Sequence, residues 1–178
     1  MLVQESLLRR HVLESNNIEG INASPGMPEY DGHLIAARIA ACGITSPNHL
    51  HEILARRVPG LWSFGGRVRT CGVAVGSRRM PHWQAVPELM AGWDGLMEQY
   101  LRSQKDHEEY AYILHAWLLC IHPWVDGNGR TSRLVWNMLR VAKGLPWHIE
   151  PARTKHRYYV RLGDFEDQVF KKENADVY

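Results

Sequence analysis

The stretch HEEYAYILHAWLLCIH, residues 107–122, is apolar on nearly every side when wound at helical spacing. A helix of that kind cannot rest on a surface and must be wrapped by other elements. Asp106 and Glu109 form a D-x-x-E capping signal at its start, and Pro123 pushes His122 away from helical geometry and so ends it. The segments available to wrap it are themselves helical. Ser46-Pro47 reads as an N-cap and first helical position ahead of Leu50, Ile53 and Leu54. Val86-Pro87-Glu88 opens a segment with Leu89, Trp93, Leu96 and Tyr100 on one stripe. A further helix starts near Arg130, passes Leu134, Met138 and Leu139, and reaches Lys143, with Gly144 as its C-terminal cap. The pattern therefore predicts an all-α fold with one short β-hairpin. The hairpin belongs to GGRVRTCGVAVGS, residues 65–77, where basic, small and β-branched residues alternate between glycines. NASPGMPEYDG, residues 22–32, reads as a loop between two helices, and most of the seven tryptophans are assigned to core packing.

Composition narrows the function. A chain of 178 residues, 45% hydrophobic, suffices for one domain spanning residues 1–178 with its own core. Its 21 basic and 19 acidic residues leave a net charge of +2 with no basic run, so a nucleic-acid partner is not expected. No stretch approaches the about 20 apolar residues of a membrane span, and the amino terminus lacks a signal-peptide core, so no membrane partner is expected. Cys42, Cys71 and Cys120 form no CxxC pair and fit a reducing, cytoplasmic setting better than a disulfide framework.

Chemistry concentrates in HPWVDGNGRTSR, residues 122–133. Gly127 and Gly129 permit backbone conformations in which successive N–H groups converge on an anion, and the helix that follows adds its own N-terminus. Arg130 and Arg133, three apart, share a helical face and can reach one polyphosphate. Asp126 offers the hard oxygen that Mg²⁺ takes when it also binds a nucleotide's phosphates, and His122 is the residue type that accepts a proton near neutral pH. The stretch is not a P-loop, because no Lys follows the glycines. His115, seven residues before His122, reads as an interior histidine; His49 and His51, two apart, cannot share a helical face, so zinc is not expected there.

Residues 122–133 resemble the signature of the Fic family, which reads His, any residue, an aromatic, any residue, Asp or Glu, Gly-Asn-Gly-Arg, two residues, Arg. Trp124 stands where Phe is usual. The leucine-rich helix after the loop and RTKHRYYVRL near the carboxy terminus are also similar to the family. The resemblance implies a mainly helical fold and transfer of AMP from ATP to a Ser, Thr or Tyr hydroxyl of a target protein, with self-modification as one outcome. It implies His122 as general base and Asp126 as the ligand of Mg²⁺. Gly127, Asn128 and Gly129 would cradle the α and β phosphates, with Arg130 and Arg133 on the β and γ groups. Tyr158 and Tyr159 match a tyrosine pair near the nucleotide base, although VRLGDFED after them lacks the asparagines often found there. Removal of AMP, transfer of another phosphate-containing group and a silent nucleotide-sensing module stay open as alternatives, as does oligomerisation.

SNNIEG, residues 15–20, has two readings. Asn16, Asn17 and Gly20 suit a helix end. The stretch also resembles the family's inhibitory motif through Ser15, Glu19 and Gly20, which makes residues 4–22 an inhibitory helix segment whose Glu19 would hold Arg133 bidentately and exclude the γ phosphate. The hairpin at residues 65–77 resembles the family's flap, which pairs with a target segment by strand addition, with Arg67 and Arg69 as target contacts.

Overall fold

The computed structural model describes residues 3–104 and 107–169. Within them the chain forms seven α-helices: α1 (Glu5–Ile18), α2 (Pro28–Cys42), α3 (Pro47–Ala55), α4 (Val86–Arg102), α5 (His107–Ile121), α6 (Asn128–Ala142) and α7 (Lys155–Val169). One antiparallel hairpin joins them, β1 (Ala74–Val75) and β2 (Arg78–Arg79), with Ala74 opposite Arg79 and Val75 opposite Arg78.

Local chemistry sets the boundaries. Ser46 caps α3 by accepting from the His49 N–H at 3.1 Å, and Pro47 takes the first helical position, where no N–H is needed. α1 ends when Gly20 N–H donates to Asn17 O and Ile21 N–H to Asn16 O, which leaves Glu19 on the last turn with its side chain fixed in direction. At the end of α6, Gly144 N–H and Leu145 N–H donate to Val141 O and Arg140 O, as expected for a cap there. Asp106, half of the capping signal expected for α5, lies outside the described residues, as do the ends of the 1–178 span.

Three expectations need correction. The loop after α1 is shorter than residues 22–32, because Pro28 is accepted as the first residue of α2 and the turn ends at Met27. The hairpin occupies only the last part of residues 65–77 and extends two residues past it; its turn is Gly76-Ser77, and residues 65–73 are not strand. The centre of the bundle is α6 rather than α5. Twelve residues of α6 are buried, against eight of α5, and α6 packs on α1, α2, α3 and α5. Its burial includes Asn128, Arg130, Thr131, Ser132, Arg133, Asn137 and Arg140. Such a polar segment does not read as interior, yet it is the element that carries the site.

The core around it is built from Leu8 and Val12 of α1, Leu34 and Ala37 of α2, Leu50 and Leu54 of α3, and Trp93, Leu114 and Leu134 of the later helices. Trp93 is fully buried and donates its indole N–H to Leu114 O at 2.8 Å, so it fills the α4–α5 contact without an orphaned donor. Trp62 departs from the packing role, being 67% exposed.

Candidate active site

His122 ends α5 in an unusual backbone conformation, φ +51°, outside the region most side chains adopt. Its N–H still reaches Leu118 O, while the next residue, Pro123, cannot continue the helix. Nδ1 lies 3.3 Å from Leu119 O. A carbonyl only accepts, so Nδ1 carries the proton and Nε2 keeps its lone pair. Burial holds the imidazole below its ordinary pKa, opposed by the Leu119 bond. The ring is therefore neutral near pH 7 and able to take a proton.

Arg69 fixes that histidine from behind. Its Nε donates to His122 O at 2.7 Å, Nη1 to Cys71 O at 2.9 Å and Nη2 to Pro81 O at 2.6 Å, and its backbone N–H donates to Pro123 O. One buried guanidinium thus ties the strained residue to both stems of the hairpin. Arg69 was expected to touch a target protein; at 2% exposure it cannot, and its charge is spent on carbonyls inside the fold. Arg67 is exposed, as a docking residue must be.

The loop closes onto α6 through Gly127, whose φ of +81° is open to glycine, and a Cβ there would meet His51 Nε2 at 3.2 Å. Asn128 faces inward: Trp124 N–H donates to its Oδ1 at 3.0 Å and its Nδ2 donates to Trp124 O at 2.8 Å. Its side chain staples the loop, so of Asn128 only the backbone N–H is left to take part in the expected cradle. The first bond of this helix start runs from Thr131 N–H to Gly127 O, so the N–H groups of Asn128, Gly129 and Arg130 precede the ladder, where a helix leaves its donors for an anion. Arg130 is 2% exposed, Nη2 lies 3.4 Å from Asp126 Oδ2, and Nε and Nη1 are buried without a partner. Two unpaired charged donors beside a helix N-terminus suit a bound polyphosphate.

Arg133 is already occupied. Nε donates to Ser15 Oγ at 2.8 Å, and Nη2 to Ser15 O at 2.9 Å and to Glu19 Oε1 at 2.6 Å; Nη1 is 3.5 Å from Tyr158 OH. The Glu19 contact is through one oxygen rather than two, because Ser15 takes the remaining face of the fork. The same carboxylate oxygen lies against the Cα of Gly129, where any Cβ would overlap it. Ser15 and Glu19 thus meet Arg133 beside Gly129, while Gly20 is exposed and serves the end of α1.

Tyr158 and Tyr159 separate. Tyr158 is buried, its hydroxyl 3.0 Å from His115 Nε2, so it supports Arg133 and the interior histidine and has no free face for a base. Tyr159 is 46% exposed and lines a cavity of 190 Å³ beside His122, together with Val75, Met80, Leu119 and Leu162. Asp126 is 69% exposed at the mouth of the loop. Among the described residues no group of three His, Cys, Asp or Glu could hold a metal by itself. A lone carboxylate next to a phosphate cradle fits Mg²⁺, which draws most of its ligands from phosphate and water.

His51 gave no signal in the sequence, yet it joins α3, the flap stem and the loop. Gly66 N–H donates to Nδ1 at 2.9 Å, and Nε2 lies 2.8 Å from Asp126 O. An obligatory donor on one side and an obligatory acceptor on the other fix the tautomer with the proton on Nε2. The ring also stacks on Trp124, centroids 4.5 Å apart and planes within 4°.

A helical bundle whose central helix begins at a glycine-led turn with unpaired backbone donors, with a buried histidine at one side and a glutamate-paired arginine at the other, has the architecture of the Fic type. The Fic/DOC family pattern matches residues 47–139, more than half the chain, and the chain belongs to that family. It is 32% identical over 162 residues to "Protein adenylyltransferase fic-1" of Caenorhabditis briggsae, covering 86% of this chain and 32% of that protein. It is likewise 32% identical over 152 residues to "Protein adenylyltransferase Fic" of Drosophila melanogaster, covering 84% of this chain and 30% of that one. The chain spans about a third of the length of these relatives. Among solved structures, Fic-1 of C. elegans superposes with a TM-score of 0.71 at 27% identity, covering 93% of this chain and 58% of that one. A Fic-domain signaling protein of Bacteroides thetaiotaomicron superposes with a TM-score of 0.72 at 19% identity, covering 98% and 78%, which bears on the fold alone.

Proposed function

We propose that the chain is the catalytic domain of a Mg²⁺-dependent protein adenylyltransferase that is held down by Glu19. The observation that carries this reading is His122, whose Nδ1 faces Leu119 O at 3.3 Å and so leaves Nε2 to accept a proton, beside the donor-rich start of α6. In the reaction, a target hydroxyl oxygen attacks the α phosphorus of ATP. A new P–O bond forms, the bond to the β-phosphate oxygen breaks, pyrophosphate leaves, and the hydroxyl proton passes to His122 Nε2. Backbone N–H groups of Asn128, Gly129 and Arg130 and the Arg130 guanidinium hold the phosphates. Asp126 would hold Mg²⁺, which supplies charge neutralisation on the phosphates when bound. The cavity lined by Tyr159 and Leu162 accepts the apolar faces of the base.

Glu19 opposes this by holding Arg133 and lying over Gly129. A γ phosphate would have to displace a charge-assisted bond worth about 1.5 to 3 kcal/mol. Three free thiols accord with a cytoplasmic setting. No helix among the described residues is long and apolar enough to cross a membrane. Labelled ATP tests the chemistry: in Mg²⁺, ATP labelled at the α phosphate should leave its label covalently on protein, while ATP labelled at the γ phosphate should not. Transfer of the γ label would instead mean phosphoryl transfer and overturn the reading.

A further inference from the structure

The even charge balance of the whole chain hides an uneven distribution. Residues 53–87 contain six arginines and no Asp, Glu or Lys, which leaves fifteen basic against nineteen acidic residues elsewhere. This span is the flap with its approaches. Arg69 is spent on three carbonyls inside the fold, and Arg56 pairs at the surface with Glu52 at 2.9 Å. Arg57, Arg67, Arg78 and Arg79 are exposed. Neither Arg67 nor Arg79 has a carboxylate partner among the described residues. The same span exposes Trp62, Phe64 and Val75, at 67%, 46% and 52%.

Arg67 and Arg79 are joined to the site through short lengths of chain. Arg79 lies in β2, two residues before Pro81, and Arg67 lies two residues before Arg69. The Arg69 guanidinium bonds Pro81 O and His122 O together. Whatever lies along the flap is therefore registered against His122. A two-stranded sheet also leaves the outer edge of each strand unpaired, and a polypeptide backbone matches that edge where a nucleic-acid backbone does not.

We propose that the flap is a cationic docking surface that selects an extended, acidic protein segment, with carboxylates flanking the acceptor hydroxyl placed against Arg67 and Arg79. The proposal rests on the adenylyltransferase reading for its acceptor hydroxyl, but its binding half stands on charge and strand edge alone. Rim charges of this kind act mainly on association and its salt dependence.

Binding is measured first, on the His122→Ala chain, by fluorescence anisotropy of short dye-labelled peptides that carry one Thr and alternate Val with Glu, Lys or Ser, and of a single-stranded oligonucleotide of similar length. The Val/Glu peptide should bind most tightly and weaken with added salt. Arg67→Glu combined with Arg79→Glu should lower its affinity by about tenfold or more and move the preference to the Val/Lys peptide. The milder Arg67→Gln with Arg79→Gln should give an intermediate loss, and circular dichroism confirms that both pairs fold. Equal binding of all three peptides, or indifference to charge reversal in a folded variant, overturns the proposal. Tighter binding of the oligonucleotide also overturns it and makes the surface a nucleic-acid one. Label transfer from ATP to the same peptides by Glu19→Gly separates the two readings. Transfer without charge preference sinks the docking proposal alone, whereas acidic binding without any transfer sinks the adenylyltransferase reading alone.

Discussion

Arg69 spends every guanidinium nitrogen on a backbone carbonyl, and nothing in its sequence context announces such a role. In GGRVRTCG it reads like its neighbour Arg67, an exposed basic residue on a strand. Asn128 is similar: the motif identifies the position, but only the fold shows that the amide staples Trp124 and turns away from the loop's free N–H groups. Residue type is legible in a sequence, whereas the direction in which a polar side chain turns is decided by which neighbour offers it a partner. Glu19 and Arg133 were legible because each belongs to a motif of fixed spacing. Two predictions follow at this scale. Arg69→Lys, which cannot bridge three carbonyls, should lower kcat for AMP transfer by about 100-fold while the KM for ATP stays near its original value, since it moves the base and not the cradle. Steady-state kinetics checks this, and an equal change in KM alone would contradict it. Asn128→Ala should cost about 1 to 3 kcal/mol of stability, because it strands the buried Trp124 N–H and C=O, and urea unfolding measures it.

At the scale of elements, helices with caps and apolar stripes were read correctly, and elements defined by tertiary partners were not. The Ser46 cap and the Gly144 stop depend on local hydrogen bonds that the sequence states directly. The hairpin has only two residues per strand, too few for alternation to fix its register, so it lies further along than the glycines suggest. α1 is part of the core as well as the helix that leads into Glu19. Leu8 and Val12 are buried, Glu14 accepts from Ala152 N–H and Asn16 meets His33. Leu8→Ala should therefore destabilise the chain by about 2 to 5 kcal/mol, seen as a lower urea midpoint at unchanged slope. Removing α1 should destabilise the core as well as take away Glu19, which makes a point change at Glu19 the informative one.

For the whole molecule, the polar interior of α6 shapes stability as well as chemistry. His11, His33 and His115 are fully enclosed, and burial followed by nearby charge pushes their pKa values down, to about 3 for His11 and His115 and well below the ordinary value for His33. Burial takes His51 to about 4. The unfolded chain binds protons at these rings from about pH 6.5 downward, while the folded chain refuses them until far lower pH. Their contribution is present above the unfolded pKa of about 6.5 and is lost progressively as the pH falls toward about 3, the folded value of His11 and His115. Urea midpoints should therefore drop steadily between pH 7 and pH 4.5, and a flat profile would mean that these rings are charged in the folded state. Of this interior the sequence pointed only to His115; His11, His33 and the arginines of α6 read as surface residues until their neighbours are known.

The central claim is that His122 catalyses AMP transfer and Glu19 restrains it. The most direct measurement is the rate of α-labelled AMP incorporation in Mg²⁺ by the wild-type chain, by Glu19→Gly, and by Glu19→Gly combined with His122→Ala. Incorporation should rise about 10- to 100-fold in Glu19→Gly and vanish in the double variant. An unchanged or lower rate in folded Glu19→Gly, or label that persists without His122, would contradict the account.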